Sequence, residues 1–292
     1  MSQEIFRSDV LAGKSILVTG GGSGLGKEIA RDLAAKGATV HLCGRRANVL
    51  ESAANEIGAL AHWHVCDIRD PDLVTAMFDA IWAIGPLTGL VNNAAANFIA
   101  PTKSLSPRAY RAITSTVMDG SFHVTLEAGK RWIDQGIAGS VVSNLVTWVW
   151  TGSAFVVPSA MAKTALHAMT MSLAVEWGKY GIRLNATAPG PFPTEGAWEK
   201  LNPLPDTTSS ATSPDTVPLG RFGEMSELQN LSVFLLSDGC RYLTGQTIAI
   251  DGGQHLAGPG TFADLTSMTD AQWQQAREAI QAASARDKAD RS

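Results

Sequence analysis

Apolar residues in this chain come in short runs, separated by longer stretches whose apolar positions recur at helical spacing, and the two kinds of segment alternate almost from end to end. Runs at 15–19, 37–43, 61–66, 87–91 and 246–250 predict strands, and a further apolar run starts at Ser140 and continues through Trp148 and Trp150. Helix-periodic stretches cover 27–36, 47–57, 70–84, 107–135 and 226–237, and a long one opens near Ser159 and runs on past Glu176 towards Asn185. The strand runs are apolar almost continuously rather than at alternate positions, which is the pattern of strands covered on both faces. The expectation is an α/β protein: one Rossmann-type, doubly wound parallel sheet with helices on both faces and a C-terminal helical extension. Residues 1–255 read as one dinucleotide-binding domain, with a lid at about 192–216, and 256–292 as an extension of the same domain.

Composition narrows the function. With 45% hydrophobic and 17% charged residues, the 292-residue chain has enough apolar surface to bury a large core. A net charge of -4 gives no support to nucleic-acid or anionic-membrane binding, and no apolar run approaches the roughly 20 residues of a membrane span. Cys43, Cys66 and Cys240 are widely spaced and read as reduced core cysteines, which fits a cytoplasmic protein. His62 and His64 share one strand face without a third ligand at sensible spacing, so no metal site is expected. No nucleophile elbow or Cys/His pair suggests a hydrolase.

The chemistry starts at Gly20-Gly-Gly-Ser-Gly-Leu-Gly26, which lies between the first strand and the first helix. Glycines there let the backbone turn tightly and bring its N–H groups to a pyrophosphate at a helix N-terminus. At the end of the second strand, where a site for NAD usually offers an acidic group to the ribose 2′-hydroxyl, this chain has Arg45 and Arg46. Arginine there suits a 2′-phosphate, so NADP(H) is the expected cofactor; the alternative is two solvated surface charges. Asp67 reads either as an acceptor for the adenine amine or as the cap of the following helix. Ser159 and Lys163, four apart, share one helix face.

Taken in order, Thr19-Gly-Gly-Gly-Ser-Gly-Leu-Gly26, Asn92-Asn-Ala-Ala95, the helix with Lys163, Asn185-Ala-Thr-Ala-Pro-Gly190 and Asp251-Gly-Gly253 resemble the short-chain dehydrogenase/reductase family over about residues 10 to 255. Asn97-Phe-Ile-Ala-Pro101, Val157-Pro-Ser-Ala-Met-Ala-Lys163, Glu176-Trp-Gly-Lys-Tyr-Gly181 and Pro189-Gly-Pro-Phe-Pro-Thr-Glu-Gly-Ala197 are similar to its 2,4-dienoyl-CoA reductase branch. The resemblance implies a homotetrameric, NADPH-dependent reductase of fatty acid β-oxidation that acts on an unsaturated acyl-CoA. It places the cofactor on Gly20, Ser23, Gly24, Leu25, Gly26, Arg45, Arg46, Asp67, Ile68, Asn93, Ala94, Lys163, Pro189, Gly190 and Thr194.

The catalytic positions depart from the family. The tyrosine that most members carry four residues before the lysine is Ser159 here, and the family's serine and helix-four asparagine correspond to Val146 and Val117. In the dienoyl branch, a tyrosine fifteen residues before the lysine and an asparagine bind the thioester carbonyl; those positions fall on Trp148 and Asp119. The expected catalytic set is therefore Ser159, Lys163, Trp148 and Asp119. An indole N–H donates a hydrogen bond but cannot give up a proton as a phenol does. Two alternatives stand beside this reading: an NADP-binding protein that has lost catalysis, and a reductase of another carbonyl, accommodated by a wall that includes Trp150. Residues 195–215, rich in Pro, Ser and Thr, read as a mobile lid with Trp198 and Leu201 on its apolar face. A helix at 270–284 carries Trp273, Ala276, Ile280 and Ala283 on one stripe and is expected to pack on a neighbouring subunit or the lid.

Overall fold

The structure, a computed structural model, describes residues 5–193, 213–258, 269–272, 274–275 and 278. Seven parallel strands form one sheet in the order β3-β2-β1-β4-β5-β6-β7. These are β1 Ser15–Thr19, β2 Thr39–Gly44, β3 Ala61–Val65, β4 Gly89–Asn92, β5 Ser140–Asn144, β6 Arg183–Pro189 and β7 Thr247–Ile250. The helices are α1 Gly24–Ala35, α2 Ala47–Ile57, α3 Pro71–Trp82, α4 Pro107–Thr114, α5 Ser121–Gln135, α6 Trp148–Thr151, α7 Val157–Trp177, α8 Met225–Leu236 and a last turn, α9 Gln254–Ala257.

Strand pleating explains the two-sided core. Ile16, Val18, Val40 and Leu42 enter one layer with Ile29 and Leu33 of α1, Leu50 of α2 and Leu228 of α8. Their neighbours Leu17 and Cys43 point the other way, against Phe78 of α3 and Val124 and Trp132 of α5. The chain builds outward from β1 to β3, then returns to lay β4 on the opposite side of β1. That reversal leaves a crevice outside the carboxyl ends of β1 and β4, where ligands bind in sheets of this kind.

Three segments differ from the sequence expectation. β6 falls where the sequence pattern gives the tail of a helix followed by a motif. Its polar residues hide the strand: Asn185 is fully buried, donates to the Leu243 carbonyl at 2.8 Å and accepts from the Gln246 N–H at 3.1 Å. The apolar run from Ser140 stops being a strand at Asn144, and Trp148 and Trp150 lie instead on the single turn α6. The helix expected over 107–135 is interrupted by a π-helical turn, Ser115–Gly120. There the Thr114, Ser115 and Thr116 hydroxyls donate to carbonyls one turn back, and a Cβ on Gly120 would come within 2.6 Å of Ile68.

The chain divides into two compact units, Met1–His255 and Leu256–Ser292. In the second, the Thr269 N–H donates to Gln272 Oε1 at 2.8 Å and the Gln272 N–H to Thr269 Oγ1 at 3.4 Å, a reciprocal cap at the start of a helical segment. Thr194, Trp198 and Leu201, with most of the expected lid, and Trp273, Ala276, Ile280 and Ala283 lie outside the described residues. No helix among the described residues is long and apolar enough to cross a membrane.

Candidate active site

The glycine turn is pressed against β4. Gly20 adopts φ +66°, and a Cβ there would meet the Ala94 Cα at 3.0 Å; on Gly26 it would lie 2.4 Å from Asn93 Nδ2. Thr19 staples the two segments together. Its hydroxyl accepts from the N–H groups of Asn93 and Ala94, both at 3.0 Å, while Asn93 Nδ2 donates to the Thr19 carbonyl at 3.1 Å. At Ser23 the N-cap of α1 makes no side-chain capping bond, and the first turn carries no acidic residue. The free N–H groups and positive helix end therefore stay available to an anion beside Gly24 and Leu25.

Arg45 and Arg46 are exposed at the end of β2 and pair with no acid among the described residues. Asp67 follows β3 and is gripped by Arg69, whose Nε lies 2.8 Å from Oδ1, and this pairing holds the carboxyl below the usual carboxylate range. Capping of α3 falls to Asp70, which accepts from the N–H groups of Asp72 and Leu73. Asp67 is therefore not the N-cap of α3; its carboxylate is taken up by the Arg69 side chain and by the Arg69 N–H at 3.2 Å. Ile68 next to it is buried, and its carbonyl lies 3.2 Å from His123 Nδ1.

One polar chain runs from the glycine turn to α7. Asn93 Oδ1 accepts from Asn144 Nδ2 at 3.0 Å, Asn144 Oδ1 accepts from the Thr187 hydroxyl at 3.3 Å, and the Asn144 carbonyl accepts from Lys163 Nζ. Lys163 is buried on α7, and loss of hydration lowers its pKa to about 8. Ser159, one turn earlier, is also buried, and its hydroxyl has no hydrogen-bond partner among the described residues. Pro189 ends β6, and Gly190 needs to be glycine because a Cβ would fall 2.6 Å from Asp251 Cβ.

Trp148 is half-buried, with an indole N–H that makes no hydrogen bond among the described residues. Its neighbour Val149 packs against the apolar cluster that includes Leu145, Ala162 and Leu166. Asp119 lies elsewhere. It lines a recess of about 200 Å³ with Met118, Phe122, His123, Ala165, Leu166 and Met169, and none of Asn93, Ser159 or Lys163 borders that space. The structure therefore brings together Asn93, Ser159 and Lys163, sets α6 with Trp148 beside α7, and leaves Asp119 apart.

Sequence reasoning assigned no part to Asn97, whose Oδ1 is buried without a partner among the described residues. Phe98 anchors that segment on the same apolar cluster as Val149, and the Ala100 N–H donates to the Phe155 carbonyl at 2.9 Å.

The comparisons with known proteins agree with this geometry. The family model for enoyl-(acyl carrier protein) reductase matches residues 20–255. The chain belongs to the short-chain dehydrogenase/reductase family. A probable 2,4-dienoyl-CoA reductase of Caenorhabditis elegans, named as producing the (3E)-enoyl-CoA, is 40% identical over 98% of this chain and 95% of its own length. A probable 2,4-dienoyl-CoA reductase of Bacillus subtilis, named as producing the (2E)-enoyl-CoA, is 40% identical over 83% of this chain and 97% of its own. The crystal structure of a short chain dehydrogenase from Bacillus anthracis superposes with TM-score 0.75 at 37% identity, covering 83% of this chain and 96% of that one. As a member of the family the chain is an oxidoreductase that uses a nicotinamide dinucleotide. The structure supplies a fitting cradle: a close-packed glycine turn, a helix start without a side-chain cap, two exposed arginines and a buried lysine.

Proposed function

We propose that this oxidoreductase reduces an unsaturated acyl-CoA thioester with NADPH, in the manner of a 2,4-dienoyl-CoA reductase. The observation that carries the proposal is the buried Ser159–Lys163 pair, with the Trp148 turn beside it and no phenol at either position. Reduction of a simple ketone needs an acid to protonate the alkoxide as it forms. Reduction of a conjugated thioester needs only polarisation, because charge is carried to the carbonyl oxygen and on to carbon.

When bound, the nicotinamide supplies the hydride, which adds to the far carbon of the conjugated system. Lys163, on the Asn144 carbonyl, would hold the adjoining ribose and place a positive charge near the developing anion. The Ser159 hydroxyl and the Trp148 N–H, both without a partner among the described residues, would donate to the thioester oxygen, with the Asn97 amide as a further polar wall. Donors of this kind are each worth roughly 10²–10³ in kcat where they have been removed in other enzymes. Ser159, Lys163 and Trp148 include no carboxylic acid or phenol; protonation by water at the α-carbon would give the 3-enoyl thioester. Arg45 and Arg46 would take the 2′-phosphate, with Ser23, Gly24 and Leu25 on the pyrophosphate, Asp67 and Ile68 at the adenine, and Thr194 beyond Gly190 at the nicotinamide end. Asp119, in its separate recess, has no part in this scheme. Exposed Phe122 on α5 and Met161, Met171 and Val175 on α7 suit a subunit interface, and a homotetramer is the assembly proposed.

The test is NADPH oxidation followed at 340 nm over a panel of enoyl, dienoyl and ketoacyl thioesters and free ketones. Turnover confined to conjugated thioesters, with a 3-enoyl product by NMR, supports the proposal; turnover only on free ketones, or none, overturns it. The lack of any ionisable acid at Ser159 or Trp148 favours one competitor, a cofactor-binding protein without catalysis, which predicts tight NADPH binding by calorimetry and no consumption.

A further inference from the structure

The turn that carries Trp148 has little to hold it in place. α6 is four residues long, lacks a side-chain cap, and is closed by the Gly152 N–H on the Trp148 carbonyl at 2.9 Å and by looser bonds from Val149 and Trp150. One helical turn does not sustain itself in water. Its position therefore depends on side-chain anchors, of which Val149 supplies one on the inner side.

Trp150 supplies the other, although it is 43% exposed. Its indole meets two imidazoles: the His255 ring at 5.1 Å between centroids, tilted by 31°, and the His167 ring edge-on at 6.3 Å. Both rings are themselves held. His167 Nδ1 lies 2.8 Å from the Thr247 hydroxyl on β7. His255 Nδ1 lies 2.6 Å from Asp251 Oδ2, and the same oxygen accepts the His255 N–H at 2.8 Å. Asp251 in turn has a side chain only 4% exposed, and its second oxygen accepts from the Gly253 N–H at 3.0 Å. A carboxylate bonded in this way sets both the tautomer and the plane of the imidazole. The end of β7 thus reaches over to the turn carrying Trp148.

We infer that His255 is a positioning residue: fixed by Asp251, it presses on Trp150 and so holds the α6 turn that presents the Trp148 N–H to the substrate. The catalytic consequence rests on the reading of Trp148 given under Proposed function; the mechanical part does not.

Two measurements on the full chain separate them. Amide hydrogen exchange of a peptide spanning 146–152 reads the turn directly. His255→Ala is expected to speed it about tenfold while peptides from β1 and α8 stay unchanged, and His255→Phe, which keeps a ring against Trp150, is expected to restore most of the protection. Unchanged exchange in His255→Ala overturns the inference, as does equal loosening across the whole chain. In steady-state assays with a dienoyl thioester, His255→Ala is expected to lower kcat five- to tenfold with the NADPH Kd within twofold of wild type, and His255→Phe to recover at least half. A fall in NADPH affinity with kcat intact contradicts a positioning role. Wild-type protein without turnover defeats the proposed function, and the exchange result still decides whether His255 holds the turn.

Discussion

Replacing Lys163 by methionine should stabilise this protein while disabling it. The ammonium is buried, and its pKa falls from the ordinary 10.5 to about 8 because burial disfavours the charged form. At about 1.4 kcal/mol per pH unit, keeping it charged at neutral pH works against folding by roughly 3 kcal/mol. Methionine removes that burden but leaves the Asn144 carbonyl without its donor, a loss of about 1 kcal/mol. The net gain of about 2 kcal/mol corresponds to a Tm higher by roughly 3 °C for a chain of this size. The pH dependence is sharper. Because the folded pKa lies below the unfolded one, the unfolded wild type binds more protons between about 8 and 10.5. Wild-type stability should therefore rise by roughly 3 kcal/mol relative to Lys163→Met across that window, which reverses the order and leaves the wild type about 1 kcal/mol the more stable above it. Urea melts of both proteins from pH 7 to pH 10.5 measure this, and a stability difference that stays flat with pH would refute the reasoning.

Other expectations follow from the same geometry. Changing both Arg45 and Arg46 to alanine should weaken NADPH binding at least a hundredfold by calorimetry and leave NADH unaffected, since charge-assisted bonds to a phosphate are worth about 1.5–3 kcal/mol each; equal losses for both cofactors would place the arginines outside the site. His41 on β2 is buried against His64, with its pKa lowered to about 3 by burial and then by the neighbouring His64 and His62. Its neutral form is the one the fold accepts, so that contribution to stability is present above pH 6.5 and is lost as pH falls towards 3. His41→Leu should flatten the fall in urea midpoint between pH 6.5 and pH 4, and an unchanged slope would count against it.

Most of the sheet was legible in the sequence because its strands are short apolar runs joined by capped or glycine-turned helices. β6 was not, since Asn185 and Thr187 are buried through side-chain hydrogen bonds that a hydropathy pattern reads as surface. The glycine turn, the paired arginines and the Ser159–Lys163 spacing could all be read from residue type and interval. Asn144 could not: it closes an apolar run, and only the fold places it between Asn93 and Lys163. Asp119 lies on the π turn and lines a recess with Met118, Phe122 and Met169, a placement that a helical position carried over from a resemblance does not reveal. Asn97 was within reach, as the polar residue next to Phe98 just beyond a strand end, but its unpaired atom appears only in three dimensions.

The proposed reduction depends on the Trp148 indole polarising the thioester carbonyl. The most direct measurement is kcat for NADPH-dependent reduction of a 2,4-dienoyl-CoA by wild type and by Trp148→Phe, with the NADPH Kd of each. The account predicts a loss in kcat of roughly tenfold to a hundredfold, towards the lower range for a removed oxyanion donor because Trp148 is only half-buried, with the Kd unchanged. A Trp148→Phe protein that turns over at the wild-type rate would contradict it.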